Sequence, residues 1–284
     1  MPTLLDIRRR IRSVKNTQQI TRAMKMVASA RLRRAQERVL NARPYANQML
    51  ELLASLAART EQRAHPLLAE RPAEKLLLVL VTGDKGLCGA FNANLVRAAQ
   101  GYLEENRGRQ VSILAVGRKG RDFFRRRTVE MVGEYVGIFS RLQFSNAQEI
   151  AKQIIDMYSK ASVDAVDFIY HESKTLLTQR LIRERYLPIQ PMEAKKGEAL
   201  IDYIYEGAPS EMFDVLLRGY VEFEVYRALL ESAAAEFAAR MTAMDAATNN
   251  AAELIDALTL HMNRVRQAAI TREIIEIVSG AAGV

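Results

Sequence analysis

The chain has one cysteine in 284 residues, no glycine before Gly83, and no proline between Pro2 and Pro44 or between Pro209 and Ser279. The single thiol, Cys88, cannot close an internal disulfide, and a reducing compartment fits it. No histidine or asparagine can be assigned to Cys88 as a catalytic partner, so a buried packing role is expected of it rather than nucleophilic attack. His65, His171 and His261 stand too far apart in sequence to offer zinc spacing, and no metal site is expected. Apolar runs stay well short of the roughly 20 residues that a membrane helix needs. The arginine-rich start "DIRRRIRSVK" lacks the apolar block of a secretory signal, and its helical pattern continues without a break. A soluble protein is expected, held at a membrane only through partners.

The missing helix breakers leave room for two long helices. The first sixty residues carry an apolar and small-residue seam that steps by four and three: Ile7, Ile11, Val14, Gln18, Thr21, Lys25, Ala28, Leu32, Ala35, Val39, Ala42. That spacing is the contact line of a coiled coil, with a polar centre at Gln18, Thr21 and Lys25. At Ile20, Met24 and Val27 the apolar stripe shifts to a neighbouring face, so the partner surface must change there. Leu50 to Ala58 continues the helix, and His65-Pro66 with Arg71-Pro72 marks its end. Near the other terminus Ala251, Ile255, Leu258, Met262, Val265 and Ala269 repeat the same steps. From Pro209 onward a helix of up to about seventy residues, roughly 100 Å, is permitted. Ten alanines between positions 233 and 252 would let a partner helix approach closely.

Charge separates the two ends. Residues 1–60 hold thirteen Lys/Arg against three Asp/Glu, whereas residues 210–284 hold six against eleven. Opposite signs suit helices lying side by side, although a basic helix is also what nucleic acid or an acidic membrane surface selects. Nucleic-acid binding would favour aromatics interleaved with the arginines, and Tyr45 is the only aromatic residue among the first sixty.

Between the helices the pattern alternates. Leu76–Val81, Val111–Val116 and Val166–Tyr170 read as buried strands; Ala93–Asn106, Arg118–Arg127 and Asn146–Lys160 read as helices between them. Leu181–Leu187 reads as a further strand, "PIQPMEAKKGEA" as a loop and Ile201–Tyr205 as a short last strand. The expected fold is α/β with long helices: an antiparallel coiled coil of N- and C-terminal helices (1–62 and 209–284) around a small Rossmann-like parallel α/β domain (63–208).

The stretch "VTGDKGLCGAFN", Val81–Asn92, has the strand, glycine turn and helix of a phosphate site. A Walker loop opening at Gly83 would need glycine where Cys88 stands. A dinucleotide fingerprint needs glycines at relative positions one, three and six, and here they stand at 83, 86 and 89. A loose anion site using Lys85 stays open, but a tight connection needing glycine backbone angles explains the same residues. Asp164 with Asp167, and Glu104-Glu105, lack an assignable acid, base or metal partner, so solvated faces are expected of them. Met24, Met26, Met241 and Met244, at helical spacing, are expected to pack. An α/β nucleotide-hydrolysing enzyme remains an alternative only if the isolated chain binds ATP.

Four segments carry a family resemblance: "ITRAMKMVASARLRRAQ" (Ile20–Gln36), "TGDKGLCGAFN" (Thr82–Asn92), "ARMTAMDAATNNA" (Ala239–Ala251) and "RQAAITREIIEIVSGA" (Arg266–Ala281). In this order they resemble the signature segments of the gamma subunit of F-type ATP synthases. The resemblance implies a noncatalytic central shaft that turns inside a ring of alpha and beta subunits, above an epsilon subunit and a membrane rotor c-ring. Rotation would couple proton flow to ATP synthesis or hydrolysis, with nucleotide bound by the partners and no cofactor here. It further implies that Arg22, Met24 and Lys25 meet an acidic loop of beta, that Arg266, Gln267, Thr271 and Glu273 engage beta and alpha loops, and that Tyr203 and Tyr205 face the c-ring and epsilon. The location implied is the cytoplasmic side of a bacterial inner membrane, peripherally. Two positions depart from the pattern: Ala90 stands where a second glycine is common, and Asp245 with Asn249 alters the charges of the alanine-rich segment.

Overall fold

A run such as Lys75-Leu-Leu-Leu-Val-Leu-Val, with no polar residue after its first, can be satisfied only by a strand covered on both faces. In the computed structural model, which describes residues 3–57, 65–173, 179–189 and 209–282, that strand is the centre of a five-stranded sheet. The elements in chain order are α1 (Leu4–Ala57), β1 (Lys75–Val81), α2 (Phe91–Glu105), β2 (Gln110–Val116), α3 (Arg118–Phe124), β3 (Glu130–Tyr135), α4 (Phe144–Ser159), β4 (Ala165–Ser173), β5 (Gln179–Leu187) and α5 (Pro209–Ala282). Strand order is β3-β2-β1-β4-β5, with β5 antiparallel to β4 and every other pair parallel.

The chain divides into two compact units, one of residues 29–239 and one of residues 1–28 with 240–284. In the larger unit the alternation of side chains along the strands builds two cores. Leu76, Leu78, Leu80, Ile113, Ala115 and Ile169 pack under α2 and α3 with Phe91, Leu95, Tyr102 and Phe124. Leu77, Val79, Val81, Val166, Phe168 and Tyr170 face the opposite way, onto α4, α1 residues such as Leu53, and α5 residues from Phe213 to Leu230. Residues 228–236 of α5 are buried without interruption, and Ala235 belongs to the α2-side core. The helix is therefore enclosed at that level rather than laid on one face. The edges follow a different logic: β3 has no buried residue and exposes Glu130 and Glu134, and β5 carries Arg180, Arg183, Glu184 and Arg185, charges that discourage pairing with another chain.

Three sequence expectations shift here. The helix expected over Arg118–Arg127 ends at Phe124, and residues 125–128 turn into β3. No strand was expected at Glu130–Tyr135, whose glycine and two glutamates dilute the apolar pattern of a half-exposed edge. The sheet is mixed rather than purely parallel, because β5 folds back on β4. The strand expected at Ile201–Tyr205 and most of the loop before it lie outside the described residues.

In the smaller unit the start of α1 runs antiparallel to the end of α5. Thr21 meets Thr248 with 2.8 Å between hydroxyls, and Lys25 Nζ lies 2.5 Å from Asp245 Oδ1. The opening of α1 is capped reciprocally: Thr3 Oγ1 accepts from the Asp6 backbone N–H at 3.3 Å while the Asp6 carboxylate accepts from the Thr3 N–H at 3.1 Å. The Thr3 hydroxyl, which donates to the Asp6 carboxylate at 2.7 Å, and then the Thr3 N–H hold the Asp6 pKa below the ordinary carboxylate value.

Candidate interaction surface and the glycine turn

The seam expected on α1 is the buried side of that helix. Ile7, Thr21, Ala28, Leu32 and Ala35 are buried, and the remaining seam positions from Ile11 to Ala42 are half-buried. On α5, Ala251 is buried and Ile255, Leu258, Met262, Val265 and Ala269 are half-buried. The stripe that shifts at Ile20 and Val27 faces solvent, and Ile20 is 59% exposed. Past the seam the end of α5 is apolar and open: Ile270, Ile274, Ile275, Ile277 and Val278 are all exposed, Ile277 by 71%. A solvated helix end normally carries charge; five exposed aliphatics within nine residues mark a surface made to be covered.

The expected contact residues fall on this surface in different states. Arg22, Arg266, Gln267, Thr271 and Glu273 are exposed, and Met24 is half-buried. Lys25 is half-buried and already paired with Asp245, so the substitution at 245 supplies a partner for it. Tyr203 and Tyr205 lie outside the described residues. Of the methionines expected to pack, Met244 is buried and Met24 and Met241 are half-buried, but Met26 is 62% exposed and does not pack within the chain. It adds to the open apolar face.

At the other candidate, the glycine turn, several side chains have internal tasks. Thr82 Oγ1 accepts from the Gly120 N–H at 2.8 Å and donates to the Val116 carbonyl at 3.1 Å, tying β1 to β2 and α3. Asp84 Oδ1 accepts from the N–H groups of Arg118 and Gly137, each at 3.0 Å, and so takes the start of α3. Asn92 Oδ1 receives the Gly83 N–H at 2.9 Å, and its amide donates to the Lys85 carbonyl and to Cys88 Sγ, both at 3.2 Å. Cys88 is buried, as expected of a packing thiol. The Gly83 N–H and the side chains of Thr82, Asp84 and Asn92 are thus engaged by the chain itself.

The glycines differ from expectation. Only Gly89 of the three takes a left-handed backbone, with φ 56°, and the neighbouring Leu87 takes φ 63° despite its side chain. Gly83 serves close approach: a Cβ there would sit 2.9 Å from the carboxyl carbon of Glu236 on α5 and 3.1 Å from each of its oxygens. Ala90, with φ −84°, sits in ordinary backbone, which explains why a side chain is tolerated there.

The acidic pair also departs from a solvated reading. Asp164 Oδ2 accepts the backbone N–H groups of Glu74 and Lys75 at 3.2 and 2.8 Å. Asp167 is buried, receiving two guanidinium bonds from Arg185 at 2.9 and 3.0 Å and the Tyr102 hydroxyl at 2.6 Å. Burial first, and then the bond to Asp167, pushes the Tyr102 pKa well above its ordinary value. The arrangement is a structural network, since both Asp167 oxygens and one Asp164 oxygen are held by donors of the chain itself. Among the described residues there is no cluster of metal-ligating side chains and no helix long and apolar enough to cross a membrane.

Comparison with known proteins covers nearly the whole chain. A family model described as ATP synthase matches residues 3–284. The ATP synthase gamma chain of Solibacter usitatus is 53% identical over 99% of both chains, and that of Chlorobaculum parvum is 48% identical over 99% of this chain and 98% of its own. Among solved structures, a chain of the Tetrahymena thermophila mitochondrial ATP synthase central stalk and c-ring is similar with a TM-score of 0.62 and 29% identity, covering 80% of this chain and 99% of that one. A chain of the Euglena gracilis mitochondrial enzyme shares the fold at a TM-score of 0.68 and 20% identity, over 99% of this chain and 94% of that one.

Proposed function

The chain belongs to the ATP synthase gamma-chain family, and on that premise we propose that it is the noncatalytic central shaft of such an enzyme, turning against the subunits that bind nucleotide. The observation that carries this is the open apolar end of α5 in a chain whose glycine turn ties its Gly83 N–H to Asn92 and its Asp84 carboxylate to the start of α3. A chain that hydrolysed nucleotide would need the first N–H of that turn for phosphate; a shaft needs a surface for others to close on.

The partners are alpha and beta subunits around the helix pair, with epsilon and a membrane c-ring at the opposite end. Arg22 and Met24, with Lys25 shared between Asp245 and the partner, would meet an acidic beta loop, and the excess of positive charge in the first sixty residues suits that contact. Arg266, Gln267, Thr271 and Glu273, exposed beside the aliphatic end, would engage beta and alpha loops. Tyr203 and Tyr205 would form the foot toward the c-ring and epsilon. Attachment to the cytoplasmic face of a bacterial inner membrane would be through these partners.

Because the two helices are unlike in charge and shape, each surrounding site would meet a different face at any moment. A ligand affinity changes only if contacts differ between states, and an asymmetric shaft supplies that difference in sequence as it turns. Proton flow would thereby be coupled to ADP, phosphate and ATP affinity. The test is a Met24→Cys variant disulfide-linked to a cysteine in the facing beta loop of the assembled enzyme. The link should stop ATP turnover and reduction should restore it; full turnover with the link intact would refute the shaft reading.

A further inference from the structure

In parallel α/β sheets, ligands bind beyond the carboxyl ends of the strands, where glycine turns bring backbone close to an anion. Here two carboxylates from α5 reach that edge. Glu236, 5% exposed, lies against Gly83 at the end of β1, near enough that only a hydrogen at the Gly83 α-carbon leaves it room. Glu231, 6% exposed, accepts the Ser173 backbone N–H at 3.2 Å at the end of β4. β1 and β4 are adjacent, so the two glutamates straddle neighbouring strand ends. Between them Ser232, Ala233, Ala234 and Ala235 are buried, and these small residues let the helix backbone come down onto the sheet edge.

We propose that the glycine turn is an anion seat filled from within: Glu236 occupies the place a ligand anion takes in related sheets, and with Glu231 it pins α5 to the ends of β1 and β4. The pair are positioning residues. Resting on the shaft reading, the seat is the joint through which load passes between the sheet body and α5. Gly83 is glycine because of Glu236 and not because of its own backbone angles. A Cβ at 83 would evict the carboxylate from a buried site rather than collide with rigid backbone.

The experiment is a cycle of Gly83→Ala, Glu236→Ala and the double variant in the assembled membrane enzyme, read by hydrogen exchange at the amides of residues 82–92 and by protons pumped per ATP hydrolysed. Gly83→Ala should speed exchange in the turn by about tenfold or more and lower the pumping ratio. In the Glu236→Ala background the same substitution should change neither, because the carboxylate it displaces is gone. Equal harm from Gly83→Ala in both backgrounds would overturn the proposal. Glu236→Gln preserves shape and removes charge, so an unchanged pumping ratio and unchanged exchange in that variant would overturn the anion seat. The exchange readout does not depend on rotation, so a failed Met24 cross-link would sink the shaft reading and leave the seat standing.

Discussion

Replacing Arg185 by methionine should loosen β4 and β5 far more than its half-exposed position suggests. The guanidinium supplies two of the three hydrogen bonds that reach the Asp167 carboxylate, and that carboxylate is 4% exposed. Removing one partner of a buried pair costs about 3–5 kcal/mol, because the remaining charge stays desolvated. Arg185 itself is 39% exposed, so water can follow the missing side chain and part of its Coulombic contribution is already screened. A loss of about 2–3 kcal/mol is the figure to expect after that discount. Near the low end this is roughly a thirtyfold fall in protection, and near the high end more than a hundredfold. The assay is hydrogen exchange of the β4 and β5 amides in the assembled enzyme, comparing Arg185→Met with the parent. The double variant Asp167→Leu with Arg185→Met removes both charges and should recover most of the loss, since apolar replacement of a buried pair is often neutral. A fall of less than about twofold in the single variant, or a double variant worse than the single, would refute the reasoning.

Two further outcomes follow from the same kind of accounting. His171 is buried against the Phe91 ring, centroids 5.0 Å apart, with both ring nitrogens lacking a hydrogen-bond partner among the described residues. Burial holds its pKa below the ordinary 6.5, so the native chain keeps it neutral while the unfolded chain protonates it. Its contribution is therefore complete above about pH 6.5 and declines as pH falls below that; urea midpoints should drop on acidification through this window, and by less in His171→Phe. The Lys25–Asp245 pair is 41% and 46% exposed on its two side chains, so Lys25→Ala should cost less than about 1 kcal/mol. Salt should shrink that cost further, and the exchanged pair Lys25→Asp with Asp245→Lys should recover it; a loss above about 2 kcal/mol would mean the pair is not solvent-screened.

Local pattern and distant partner account for what the sequence discloses and what it hides. The strands β1, β2 and β4 are legible because a doubly covered strand must be apolar along its length, and the seams of α1 and α5 are legible because a helix repeats its buried side every three to four residues. Asp167 looks like a surface charge because nothing near it in sequence answers it. Its partner Arg185 is placed opposite only when β5 folds back on β4, with a register shift beside Asp167. The reason for Gly83 is hidden in the same way: its neighbour Glu236 arrives with the last helix. A missing side chain looks identical whether backbone angle or an incoming carboxylate demands it. Lys25 and Asp245, 220 residues apart, show that an unfamiliar acid at one position can be an answer to an expected base at another.

The two units divide the work of burial unequally, and that inequality is what makes partners necessary. In residues 29–239 the sheet is covered on both sides and α5 is buried at every position from 228 to 236, so the apolar side chains of β1 and of that stretch of α5 are enclosed within the chain. In the other unit two helices have only each other, and a two-helix contact can cover one stripe of each. Ile20, Met26 and Val27 on α1 and Ile270 to Val278 on α5 fall outside those stripes. Burying one such side chain gains about 1.5–3 kcal/mol, so an enclosing partner would draw a large favourable free energy from this surface alone. Tight, evenly apolar enclosure would nonetheless resist turning. The exposed polar residues among the aliphatics, Arg266, Gln267, Thr271 and Glu273, are then the groups whose contacts can differ from one angular position to the next, while the aliphatic surface around them keeps water out at every position.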